Sequence, residues 1–234
     1  MRREQLLEGL KDSFPILIGY FPVGLAFGVL AGQAGLSSWE IFMMSLMVYA
    51  GASQFIGATL IAGGATASTI ILTTFFVNLR HLLMSASLSP HTKNIPPKAL
   101  ALLSFGLTDE TFAVSVNKVR QSPQTGWYFL SLFVVAYLTW ILSTVLGGAV
   151  GNLIPEPEKF GLDFALTAMF IGLLMLQITD IKSVWVAVIA GSLALIFKIL
   201  SDGHWSVILA TVLAATIGVL IEEWTRKSSR SFSV

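Results

Sequence analysis

Apolar runs near twenty residues long, cut by short polar connections, recur along nearly the whole chain. That is the length a helix needs to cross the hydrocarbon core of a bilayer. The pattern predicts eight hydrophobic segments: Pro15–Ala34, Trp39–Ala62, Thr69–Ser89, Ala99–Asn117, Trp127–Val150, Gly161–Ile178, Ser183–Leu200 and His204–Ile221. Before them, residues 1–14 place Leu6, Leu7, Leu10 and Phe14 on one face, the pattern of a short interfacial helix ended by Pro15. Residues 222–234 form a polar C-terminal tail. The expectation is an all-α, polytopic transmembrane helical bundle of about seven to eight membrane segments, forming one transmembrane permease domain over residues 1–234.

The fourth segment does not read as a plain span. Asp109 and Glu110 fall in its middle, and Gly106 followed by Thr108 and Asp109 has the form of a helix restart, with Thr108 or Asp109 as N-cap. A broken or re-entrant segment, with half-helix ends inside the membrane, is therefore expected there. Pro22 predicts a kink in the first segment, and Gly24, Gly28 and Gly32 at four-residue steps predict close approach by another helix. Ala50, Gln54 and Ala58 share a small-residue face of the second segment, where Gln54 is expected to bond between helices.

The third segment carries Asn78, Arg80 and His81 at its centre. An arginine there costs about 2.5–3.5 kcal/mol on insertion scales, so it should face protein or a wet cavity. Thr74, Asn78, His81 and Ser85 predict a polar stripe, with Arg80 on a neighbouring face. Two readings stay open: Arg80 pairs a carboxylate on another helix for structural reasons, or it belongs to a transport site. A mid-membrane guanidinium with amides and two carboxylates suits a zwitterion. Arg80 or a half-helix N-terminus would hold its carboxylate, Asp109 or Glu110 its ammonium or a coupling proton. His81 is a second proton-relay candidate. Asp163, in the first turn of the sixth segment, suits a helix N-terminus.

Composition narrows the class. Hydrophobic residues make up 55% of the chain and charged ones 12%, against about 25% charged in soluble domains. A net charge of +1 offers no basic surface for nucleic acid, and the absence of cysteine removes disulfides, thiolate metal sites and cysteine nucleophiles. His81, His91 and His204 are too scattered to suggest a metal, and no cofactor is expected. The sequence holds no G-x-S-x-G, H-E-x-x-H or P-loop motif, so no enzyme is predicted. Arg2, Arg3 and Lys11 at one end and Arg226, Lys227 and Arg230 at the other place both termini on the cytoplasmic side. His91, Lys93 and Lys98 go against that rule, which leaves the number of crossings between residues 60 and 125 open.

Five stretches carry a resemblance: GYFPVGLAFG, VYAGASQF, FFVNLRHLLMSASLSPH, FGLTDETFAV and LDFALTAMFIGLL, in that order. Together they resemble the AzlC family of bacterial membrane proteins. The resemblance implies the large subunit of a two-component exporter of branched-chain amino acids (Leu, Ile, Val and by extension Met), in the bacterial cytoplasmic (inner) membrane. It further implies a small AzlD-type membrane subunit as partner and the proton gradient as driving force. The motif positions it marks are Gln54, Asn78, Arg80, His81, Asp109, Glu110 and Asp163. Thr167 stands where related sequences often have proline, which moves the expected breaks toward spans one and four. The alternatives in other classes are a structural or assembly subunit of a membrane complex, and a carrier or channel for another small polar solute.

Overall fold

The structure, a computed structural model, describes residues 2–154, 156–178, 181–200, 213 and 216–218. All regular structure among them is helical. Two compact units divide the chain, residues 1–173 and 174–234. The first holds α1 (Arg2–Asp12), α2 (Phe14–Gln33), α3 (Ser38–Met47), α4 (Gly51–Ala62), α5 (Ala67–Leu88), α6 (Pro97–Ser104), α7 (Asp109–Gln121) and α8 (Gly126–Val150). After three 3-10 turns, α9 (Ala165–Gln177) runs up to the second unit. In that unit, α10 (Ile181–Leu200) is an apolar helix, and Gly218 packs against Val186. The predicted segment His204–Ile221 and the polar tail lie, apart from residues 213 and 216–218, outside the described residues.

Backbone contact between α2 and α8 forms the centre of the first unit. A Cβ on Gly28 would collide with the Thr144 carbonyl and the Gly147–Gly148 backbone, and one on Gly147 with the Leu25 carbonyl. Only hydrogen at these positions lets two spanning helices meet this closely. The glycine spacing in the first span thus serves α8, a helix of the same chain. Phe27, Tyr128, Leu132, Ala136 and Trp140 are buried along this seam. α2 runs through Pro22 without a break.

Partners along the seam advance together, Gly24 facing Ser143, Gly28 facing Gly148 and Gly151 facing Val29, so α2 and α8 run parallel. Two parallel spans require an odd number of crossings between them. α5 alone supplies it, or the three passes α3–α4, α5 and α6–α7 together, and of these only α5 is by itself long and apolar enough to cross.

The outer two of these passes are interrupted. The predicted restart at Thr108 is present: its hydroxyl accepts the Thr111 N–H, and the Thr111 hydroxyl accepts the Thr108 N–H. The second span departs from expectation, because Trp39–Ala62 is not continuous. α3 stops at Met47 and α4 starts at Gly51, with Tyr49 between them at φ 43°. That left-handed backbone is unusual for an aromatic residue. The Tyr137 hydroxyl donates to the Leu46 carbonyl at 2.6 Å, satisfying one of the acceptors freed at the end of α3.

α1 lies against the start of α8, with Gly9 under Tyr128 and Ser131. Lys118 of α7 pairs with Glu8 and Asp12, and Arg2 stacks over Trp127 at 3.6 Å. Leu7, Leu10 and Phe14 stay exposed on the far side, the arrangement expected of an interfacial helix.

Candidate functional site

Both helix breaks open onto one cavity. Its lining includes Tyr49, Ala50, Gly51 and Ala52 from the α3–α4 break and Thr108, Asp109 and Glu110 from the α6–α7 break. Arg80 and His81 from the middle of α5, Tyr20 of α2 and Trp140 of α8 complete most of the wall. The cavity measures about 10 Å³, the space of a single water. A larger apolar groove of about 500 Å³ lies between α5, α6 and α8, lined among others by Leu82, Leu100, Leu103, Leu107 and Phe133. Leu107, in that groove, is the neighbour of Thr108 in the cavity.

Arg80 reaches from α5 to the first turn of α7, where its Nη1 lies 2.9 Å from Asp109 Oδ2. The pair is partly covered, its side chains 24% and 16% exposed, and the guanidinium sits 5.8 Å from the Phe170 ring. The Arg80 Nε is buried and has no acceptor among the described residues. Glu110 accepts the Tyr20 hydroxyl at 2.8 Å. Tyr20 also shares a hydrogen with the Thr108 hydroxyl at 2.6 Å, so α2 is tied directly to the N-terminus of α7. The two acids thus have separate partners. His81 lines the cavity while its Nδ1 sits 3.1 Å from the Asn78 carbonyl of its own helix.

The expected polar stripe on α5 divides among neighbours. Thr74 returns its hydroxyl to the carbonyls of Ile70 and Ile71, and Asn78 accepts the Ser53 hydroxyl at 2.6 Å, joining α5 to α4. Ser85 lines the apolar groove. Gln54 lies in a dry chain of bonds between helices: the Trp140 indole N–H donates to its Oε1 at 2.9 Å, and its amide donates to Ser45, which meets Thr144. Of the residues singled out in the sequence, Arg80, His81, Asp109 and Glu110 meet at the cavity. Gln54 and Asn78 brace its walls from behind. Asp163 belongs to the 3-10 turn Leu162–Phe164, and its side chain is outside the described residues.

Tyr20, Tyr49 and Trp140 escaped sequence reasoning as site residues, since aromatic residues in apolar spans read as packing. The available signal was their position: Tyr20 and Tyr49 stand beside the small residues of GYFPVG and VYAGAS, where backbones come close.

Residues 15–154 match the family described as AzlC protein. An uncharacterized membrane protein of Archaeoglobus fulgidus is 36% identical over 219 residues, covering 93% of this chain and 94% of the relative. The inner membrane protein YgaZ of Escherichia coli K12 is 34% identical over 80% of each chain. The branched-chain amino acid transport protein AzlC of Bacillus subtilis is 28% identical, over 94% of this chain and 87% of that one. No solved structure matches the chain.

Proposed function

The chain belongs to the AzlC family of membrane proteins, and from that premise we propose that it is the large subunit of a secondary active transporter exporting branched-chain amino acids. A role in membrane transport follows from the family; substrate, direction, coupling and partner are part of the proposal. One observation carries it: an arginine in the middle of a spanning helix meets an aspartate at a cavity where two interrupted passes face each other. Interrupted helices with ends near mid-membrane are how secondary carriers hold charged solutes. In this reading the Arg80–Asp109 pair and Glu110 flank the substrate, and Glu110 or His81 carries the coupling proton. The apolar groove beside Leu107 offers room for an aliphatic side chain. The protein works in the cytoplasmic membrane with both termini inside, beside a small AzlD-type subunit.

The second reading is an assembly subunit whose buried charges serve only each other, and the Arg80–Asp109 contact is the observation in its favour. Counterflow of labelled leucine separates the two. Vesicles holding the chain with and without an AzlD-type subunit are compared at two lumenal pH values. Leucine exchange stimulated by a pH gradient and abolished by Arg80→Ala, with normal insertion, is the expected result. Undiminished exchange by Arg80→Ala would remove the pair from the mechanism, and the absence of exchange in any arrangement would leave the assembly role.

A further inference from the structure

Several hydrogen-bond donors at the cavity have no acceptor among the described residues. Tyr49 is 3% exposed, and its hydroxyl, though close to those of Tyr20 and Thr108, makes no hydrogen bond of ordinary geometry among the described residues. The Arg80 Nε is in the same condition. The first turn of α4 adds a third set. Ala50 occupies its N-cap position and has no side-chain acceptor to offer, so the N–H groups of Gly51, Ala52 and Ser53 find none among the described residues. The nearby acceptors make their bonds to other groups, Asp109 Oδ2 to Arg80 Nη1, Glu110 Oε2 to the Tyr20 hydroxyl, and Thr108 to Tyr20 and its own capping box. Buried donors without acceptors are costly, and a protein retains several in one place where a ligand completes them. Tyr49 is moreover held at positive φ, a strained conformation of the kind that collects at ligand sites.

We propose that the first turn of α4 and the Tyr49 hydroxyl form the carboxylate subsite for the transported amino acid, with its ammonium directed to the acidic first turn of α7. The inference rests on the transport reading and specifies how that site reads its solute. Free N–H groups at a helix start favour an anion through direct bonds and through the helix dipole. The acids at the start of α7 favour a cation. An α-amino acid presents both charges on adjacent atoms. Because the cavity now measures about 10 Å³, the carboxylate enters as the two breaks move apart.

The test uses the full chain in detergent and reads thermal stabilisation by leucine, by leucinamide, which lacks the carboxylate, and by 3-methylbutylamine. Leucine should stabilise the wild type at concentrations about tenfold below those needed for leucinamide, the scale of one charge-assisted hydrogen bond. Tyr49→Phe should raise the leucine half-saturation about tenfold, leave leucinamide unchanged, and leave the unliganded protein as stable or more so, since it removes only an unsatisfied hydroxyl. Ala50→Asp supplies α4 with a carboxylate of its own and should remove leucine binding while retaining that of leucinamide and 3-methylbutylamine. Equal losses for leucine and leucinamide in both variants would overturn the carboxylate subsite and leave amino acid transport standing. Failure of leucine and both analogues to stabilise the wild type would overturn the transport reading, and the subsite with it.

Discussion

The two helix breaks that share the cavity begin their second halves in opposite ways. α7 opens with a threonine N-cap, a reciprocal capping bond, and Asp109 and Glu110 in its first turn. Its exposed N–H groups and its positive dipole end are answered from within the helix. α4 opens with Ala50, Gly51 and Ala52, residues that have no polar side chain, and its dipole end is left unanswered. One end has surplus negative charge and the other surplus donors, although the same kind of interruption produced both. A span broken inside a membrane therefore becomes a site of either sign according to which two or three residues follow the break.

The contrast can be broken most forcefully at the acidic end. Asp109→Asn leaves the Arg80 guanidinium without its carboxylate and should cost about 2–3 kcal/mol, below the full penalty of a buried pair because both side chains are partly exposed. Glu110→Gln should cost under about 1 kcal/mol, since the amide oxygen still accepts the Tyr20 hydroxyl. Thermal unfolding in detergent checks both, and equal losses would mean that the two acids form one cluster.

The glycines at the two breaks give the next effect in size. A Cβ on Gly106 would lie 2.5 Å from Phe133 Cβ, whereas one on Gly51 would meet the edge of the Trp140 ring at 3.0 Å. Gly106→Ala should destabilise by about 1–2 kcal/mol and Gly51→Ala by under about 1 kcal/mol, an order that unfolding midpoints would confirm or reverse. The smallest effects exchange the caps. Thr108→Ala should lose about 1 kcal/mol, and Ala50→Ser should gain about 0.5 kcal/mol by giving α4 the acceptor it lacks. If the serine stabilises the protein and also weakens leucine binding, the open donors of α4 are the groups the substrate uses.

The break before α7 was legible because its signals are local: a glycine, a cap and two acids interrupt an apolar run. The break before α4 was hidden because Val48, Tyr49, Ala50 and Gly51 are all compatible with an apolar helix, and only the positive φ of Tyr49 marks it. Arg80, His81, Asp109 and Glu110 announced themselves through the cost of charge in lipid. Which acid Arg80 would choose depends on how α5 packs beside α7, and periodicity within either helix holds no information on that. Gln54 was correctly expected to bond between helices, while its donor and acceptor, Trp140 and Ser45, lie 86 residues onward and 9 back.

The glycine-to-backbone fit of α2 on α8 has a mechanical meaning. Two rods whose main chains touch have no cushion of side chains to shear, so they travel as a single keel. α5, by contrast, buries only 6% of its most apolar window and is fastened at its centre by the Arg80 ion pair and the Ser53 bond to Asn78. Under the transport function proposed above, exposing the cavity first to one side of the membrane and then to the other would fall to that loosely moored helix, with its guanidinium as the rivet to be released.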